Sequence, residues 1–335
     1  MKNITMYDFD SAKKEYREFC ENEDNDIQIF AQPWYLDAVC ETPDDWKVIL
    51  YKENEKIVAA FPFEYKKGKY GFWHISNPPF APRLGIWIKY TDKEREGVRE
   101  DFENKIIKHV VDNLPKYDEF KIIFDSRFQN WQQFYREGFT QTTRYSYLMP
   151  CNIDAYNILP TNARNQIKKI LKQYNVDCNM SGEEYWQFVS DTYKIRNKKS
   201  SYCEKDFMKL HSAVEKNNAN MIFRCKDARQ HTAAAIYVLL DNRRMYNMFE
   251  TFDPNYSSMG IQKLTKFFGI NVAAEKKLDF DFEGSMIPGV AEFNRRFNAK
   301  KEQYFLITKY SNRYLLLDYL RKIMHTLKNI LLKNK

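Results

Sequence analysis

The chain has 335 residues, 44% of them hydrophobic, with 53 Lys and Arg against 45 Asp and Glu and a formal net charge of +8. That length corresponds to about two domains. A charged fraction of 29% and a mean hydropathy of −0.67 exclude a polytopic membrane protein, and no run approaches the ~18 apolar residues of a spanning helix. The 10 Gly, well under the usual share of about 7%, exclude glycine-rich phosphate cradles: neither G-x-G-x-x-G nor G-x-x-x-x-G-K-[ST] occurs.

In chain order, the first stretch, Met1–Asp10, has no apolar core of the secretory kind, which makes the cytoplasm the expected compartment. A helix starts at Pro33 in AQPWYLDAVC. Alternation predicts strands at 46–51, 56–65 and 69–76, with turns at Glu53-Asn54 and Lys66-Lys67-Gly68. A helix over about 92–114 follows, with Asp92 near its start and Pro115 past its end. Then come a strand at 120–125, a helix around 129–137 closed by Gly138, and a strand reaching about 149. Helices at about 161–175, 183–195 and 204–217 introduce the second half. There the order repeats: strands at 221–226, 231–240 and 244–252, a helix at 260–276, a strand at 278–282, a helix at 288–297 and a strand at 302–308. Each half therefore reads β-β-β-α-β-α-β, and residues 122–149 can be laid over 278–307, as in a tandem duplication with a boundary near Pro150 to Pro160.

Three cationic clusters carry the basic excess: Arg164, Lys168, Lys169 and Lys172; Arg196, Lys198 and Lys199; and the tail 311–335, where Arg313, Arg321, Lys322, Lys328, Lys333 and Lys335 face a lone Asp318. In the tail, Leu316, Leu320, Ile323, Leu327 and Ile330 recur at helical spacing, so the segment reads as a basic amphipathic helix suited to an anionic membrane or to packing on protein. The six cysteines, Cys20, Cys40, Cys151, Cys178, Cys203 and Cys225, are far apart with no C-x-x-C, and the 5 His are scattered. Reduced, mostly buried thiols and no metal site are the expectation.

The β-β-β-α-β-α-β order, the segment LDFDFEGSMIPGVAEFNRRFNAKKEQYF at 278–305, the hairpin, loop and helix at 231–268, and PWYLDAVC at 33–40 together resemble tandem GNAT acyltransferases of the Fem-like family and the related BioF2-like acetyltransferase-domain family. The resemblance covers nearly the whole chain to about 308. It implies an α/β (α+β) fold with two GNAT-like domains and mixed, mostly antiparallel sheets, at 1–150 and 151–310, followed by a basic C-terminal helix at 311–335. Asn298 stands where the family often has Gly, Arg295 or Arg296 replaces its usual Lys, and YSSMGI (256–261) keeps a single glycine of the pyrophosphate loop.

In that frame the loop residues Ser257, Ser258, Met259, Gly260 and Ile261 are the candidates for holding the phosphates of an acyl-CoA, since backbone N–H groups at a helix N-terminus favour anions. A serine N-cap is the structural alternative. The resemblance makes Glu250 the candidate base, while alternation sets Asp279, Asp281 and Glu283 on one face opposite Phe280 and Phe282. Asp281 and Glu283 are further catalytic candidates, or Asp281 pairs with Arg295; the general acid is unassigned. Trp73, His74, Asn77 and Arg83, in an aromatic and proline-rich stretch, resemble an acceptor-side wall, and Arg164 and Lys168 are candidates for a nucleotide, tRNA or anionic acceptor.

The expected activity is N-acyl transfer from acyl-CoA to an amine on an amino sugar or cell-envelope precursor, in envelope or surface-polysaccharide biosynthesis. Aminoacyl-tRNA-dependent transfer of the peptidoglycan type is the alternative. No long coiled-coil arm of the kind some of those enzymes insert is readable, which favours acyl-CoA. A degenerate, non-catalytic binding protein is the third reading. The expected location is cytoplasmic, peripheral at the inner face of the membrane.

Overall fold

The computed structural model describes residues 7–22, 25–90, 95–284 and 286–333. The chain forms two compact units, Met1–Thr143 with Tyr304–Lys335, and Arg144–Gln303. This groups the chain differently from 1–150, 151–310 and 311–335: everything after Gln303 folds with the first unit. The reason is local, since Leu306–Tyr310 pair antiparallel with Ile123–Glu119 and Arg313 then closes on Asp118.

The first unit holds helices α1 (Phe9–Cys20) and α2 (Pro33–Val39), strands β1 (Trp46–Glu53), β2 (Lys56–Lys67), β3 (Trp73–Ser76) and β4 (Trp87–Ile88), helix α3 (Glu96–Asp112), strand β5 (Glu119–Ile123), helix α4 (Gln132–Arg136) and the start of strand β6 (Thr140–Met149). Its sheet runs β1-β2-β3-β5 and ends on the last part of strand β12 (Lys300–Tyr310). β3 and β5 pair parallel, with His74 opposite Glu119. The core beneath is aromatic: Phe61, Phe63, Phe120, Phe124, Phe134 and Phe139 are all buried in one cluster, which is where much of the chain's phenylalanine goes.

Helix α1 has no counterpart in the sequence reading. Its stretch FDSAKKEYREFC is dominated by charge, and only a seam of Ala12 and Tyr16 is buried. Asp8 starts it by accepting hydrogen bonds from the backbone N–H groups of Asp10 and Ser11. Asp92 lies outside the described residues, and α3 begins at Glu96. Gly138, at φ +77°, turns the chain out of α4 as expected.

The second unit contains the rest of β6, helices α5 (Ala155–Ile158) and α6 (Thr161–Ile170), strand β7 (Tyr174–Asp177), helices α7 (Gly182–Ile195) and α8 (Glu204–Lys216), strands β8 (Asn220–Asp227), β9 (Thr232–Leu240) and β10 (Arg244–Phe252), helix α9 (Ile261–Glu275), strand β11 (Asp279–Asp281) and helix α10 (Pro288–Arg295). Its strand order is β6-β11-β10-β9-β8-β7. As in the first unit, the parallel pair, here β10 with β11, is joined through a helix. Along the chain the β-β-β-α-β-α-β order read from the sequence occurs twice, with β4 and β7 in addition, but most of β6 belongs to the second unit and most of β12 to the first. Helix α9 packs on β8, β9 and β11 and is overlaid by α6. It buries Leu264, Phe267, Ile270 and Ala273 but also Thr265 and Lys266.

Helix α11 (Asn312–Lys333) is tied to the first unit at its first turn. Asp118 accepts from Arg313 Nη2 at 2.6 Å, from Ser311 Oγ at 2.9 Å and from the Trp73 backbone N–H at 2.9 Å. The guanidinium and these donors hold the Asp118 carboxyl down at about 2. A depressed carboxylate contributes stability above its ordinary value near 4 and loses it as pH falls towards the folded value. Docking of the start of α11 is therefore expected to be constant at neutral pH and to weaken between about pH 4 and pH 2. Amide exchange of residues 312–320 checks this, and Asp118→Asn should remove the dependence in that window.

The cysteines differ from expectation in burial: Cys40 and Cys225 are buried, Cys20 and Cys151 half-buried, and Cys178 and Cys203 exposed. Burial pushes the thiols of Cys20, Cys40 and Cys225 up to about 12. Among the described residues no group of three His, Cys, Asp or Glu side chains is placed to hold a metal ion, and no helix is long and apolar enough to cross a membrane.

Candidate active site

The site is built where β10 leaves β11. The two strands pair only over Arg244–Tyr246 and Asp279–Asp281. From Asn247 onward that edge of β10 has no strand partner among the described residues, and an irregularity between Asn247 and Phe249 interrupts its register with β9. An unpaired edge exposes backbone N–H and C=O groups to an extended ligand. Asn247 is buried, and its Oδ1 has no hydrogen-bond partner among the described residues.

Alternation along β10 sends Phe249 to one face, against Tyr202 and Tyr237, and Glu250 to the other. There Glu250 Oε2 lies 2.9 Å from Lys266 Nζ, the carboxylate side chain 26% exposed and the lysine side chain 2% exposed. The ammonium also donates to Asn294 Oδ1 at 3.3 Å and lies 4.7 Å from the centroid of Phe293 and 5.7 Å from that of Phe282. A buried cation is tolerated when a carboxylate, an amide oxygen and aromatic faces surround it. The result is a carboxylate fixed from below by a buried charge and open to solvent above. The sequence reading missed Lys266 and Asn294. Their only sequence signal is a lysine inside a helix whose neighbours Leu264, Phe267 and Ile270 are all core residues.

Asp281 has a different part. It is fully buried and accepts from Ser146 Oγ at 2.7 Å, from Arg244 Nη1 at 3.0 Å and from the Glu283 backbone N–H at 3.0 Å. Arg244 also holds Glu302 through both terminal nitrogens, at 2.8 and 2.9 Å. Asp281 therefore pins β11 to β6 and β10, and its guanidinium is Arg244, not Arg295. Arg295 and Arg296 both turn to Glu292. Glu283 falls beyond the end of β11, at φ +54°, so strand alternation does not extend to it. Asp279 accepts from the Cys151 backbone N–H.

The loop before α9 is a 3-10 turn, Pro254–Met259, tethered by the Tyr256 hydroxyl donating to Asp227 at 2.8 Å. Ser257 is exposed, and the side chains of Ser258 and Met259 lie outside the described residues. No serine caps α9: Gly260, at φ +72° and ψ +20°, is the N-cap. A Cβ on Gly260 would lie 2.3 Å from Gln166 Nε2, so this close approach is to α6, and Ile261 is core. Lys263 hydrogen-bonds Gln166 Oε1, and burial together with the nearby Arg296 charge pushes its ammonium pKa down. Arg164 and Lys168, on α6, both lie over Tyr156, at 5.9 and 5.8 Å. Lys263 and the neighbouring Arg296 thus bring positive charge to the first turn of α9, while Arg164 and Lys168 lie over Tyr156, which packs on Phe267 further along the helix. Asn298 adopts φ +58°, the left-handed conformation Gly would supply and Asn tolerates.

Each of the four first-unit candidates has its own partner within that unit. Trp73 stacks on Tyr65 at 4.7 Å. His74 Nδ1 lies 2.7 Å from Glu119 Oε2. Both belong to β3, not to a loop. Asn77 bonds both backbone groups of Ile123, at 3.0 and 2.7 Å, and Arg83 is buried, 5.3 Å from the centroid of Tyr304.

No family model matches the sequence, and no curated protein does. Solved structures do match along almost the whole length. FemX is similar with a TM-score of 0.64 at 11% identity, over 90% of this chain and 97% of that one. L-PGS from Bacillus licheniformis gives a TM-score of 0.54 at 11% identity, over 94% and 96%. A tandem GNAT protein from the clavulanic acid biosynthesis pathway gives 0.51 at 8% identity, over 91% and 97%. With the β-β-β-α-β-α-β order repeated along the chain and full-length likeness to these structures, the chain has the tandem GNAT fold of the Fem-like proteins.

Proposed function

We propose that the chain is an N-acyltransferase that moves an acyl group from acyl-CoA to an amine on an amino sugar or cell-envelope precursor. The observation that carries this reading is the Glu250 carboxylate, fixed by buried Lys266 beside the unpaired edge of β10. The free edge offers backbone hydrogen bonds to the amides of an extended donor, and Lys263 with Arg296 at the first turn of α9 offers charge to its phosphates. Glu250 takes the proton that the acceptor amine releases as its nitrogen attacks the acyl carbonyl. The new C–N bond forms as the C–S bond breaks and the thiolate leaves. Lys266 is too deeply buried to meet substrate and acts as a positioning residue.

A second reading, transfer from aminoacyl-tRNA, is favoured by the α6 cations Arg164, Lys168 and Lys169 and by the likeness to FemX. The two donors separate in one experiment: thermal stability and affinity of the chain titrated with acetyl-CoA and, in parallel, with charged tRNA. Saturable stabilisation by acetyl-CoA with weak, steeply salt-dependent tRNA binding supports the first reading. The reverse supports the second, and binding of neither overturns both. Binding without turnover of any amine acceptor identifies a non-catalytic descendant of the fold.

A further inference from the structure

Among the described side chains, helix α11 is held from one side. Tyr314 packs edge-on against Phe72 at 5.5 Å, stacks on Tyr310 at 5.3 Å and donates its hydroxyl to Glu119 at 3.2 Å. Arg313 closes on Asp118, and Arg321 lies 4.6 Å from the centroid of Tyr70. The other side of the helix is apolar and open: Leu315, Leu316, Tyr319, Leu320, Ile323 and Met324 are each 39–63% exposed. At 100° per residue these six fall on one half of the helix surface. Leu327 and Ile330 continue the same spacing in the sequence.

Charge selects what covers this face. Asp318 is the single acid of 311–335, and it is already paired with Lys322 at 2.7 Å. Arg321 and Lys322 fall on opposite flanks of the apolar half, and the sequence adds Lys328, Lys333 and Lys335. An isologous contact with a second copy would bring these flanks together and oppose like charges. A lipid surface bearing anionic headgroups accepts both features at once, leucine and isoleucine in the acyl boundary and cations in the headgroup layer. We propose that α11 docks the chain peripherally on an anionic membrane, lying in the interface plane. This is independent of the transfer chemistry and goes beyond it.

The test is co-sedimentation of the full chain with phosphatidylglycerol–phosphatidylcholine vesicles and with pure phosphatidylcholine vesicles. The expected result is binding to the anionic vesicles that falls at least about tenfold on pure phosphatidylcholine and weakens as salt is raised. Leu316→Glu with Leu320→Glu should abolish it, and Arg321→Ser with Lys322→Ser should weaken it while leaving the circular dichroism spectrum unchanged, since all four positions are exposed. Absence of binding to either vesicle overturns the proposal, as does binding that survives the Leu→Glu pair. A concentration-dependent dimer in sedimentation that the Leu→Glu pair dissolves would also overturn it, assigning the face to a second copy.

Discussion

Glu250→Gln is expected to lower kcat for acyl transfer by roughly 10²–10⁴-fold, the usual contribution of a positioned general base, with Kd for the donor changed little. The amide keeps the shape of Glu250 and its place 2.9 Å from Lys266 but cannot take the proton. Lys266→Met sharpens the assignment. Methionine fills the slot between Phe282 and Phe293 without a charge, and the fold should persist because the carboxylate left behind, Glu250, is partly exposed and can be hydrated. Glu250 then loses its fixed partner, and kcat should fall while Kd for the donor changes little. A Glu250→Gln enzyme with full turnover would remove Glu250 from the chemistry. An unchanged kcat in Lys266→Met would reduce Lys266 to packing.

The second large effect belongs to Arg244. Arg244→Ala removes the guanidinium from fully buried Asp281 and the two hydrogen bonds that Arg244 gives to Glu302. Breaking a buried ion pair from one side typically costs about 3–5 kcal/mol. Urea denaturation of the second unit's transition is expected to show a loss of that order. Asp281→Asn should cost less, because the amide oxygen still accepts from Ser146 or Arg244 and no bare charge remains. Equal losses would mean that the pair contributes through packing alone.

Much of the fold was legible because its signals are local. Strand alternation and the Gly138 turn are short-range features, as is the turn before β10, where Asp241 accepts from the backbone N–H groups of Arg243 and Arg244. Helix α1 was hidden because its buried seam is too narrow to stand out among charges. Strand β7, four residues long, is too short to alternate visibly and exists because β8 offers it an edge.

The candidate site was legible only in outline. Glu250 was reachable because strand period alone fixes its position on β10. Its partnership with Lys266 was not, since the two residues lie on different elements and a lysine in a helix ordinarily faces water. Asp281 shows the converse: its place with Glu283 at the end of a strand made it a catalytic candidate beside Glu250, yet Arg244 and Ser146 hold it inside the sheet. His74 and Asn77 went the same way, because β3 and β5 pair in parallel and supply Glu119 and the Ile123 backbone as partners.

What the sequence by itself determined is the order of elements, the duplication and the scarcity of glycine that excludes glycine-rich phosphate loops. These follow from periodicity and backbone preference, which each residue carries with it. The tertiary structure alone decided that Gly260 makes room for Gln166, that the chain after Gln303 completes the first unit, and which charges are buried. Those outcomes depend on the low-dielectric surroundings assembled from distant segments, where the strength of an ion pair and the cost of leaving a charge alone are both set.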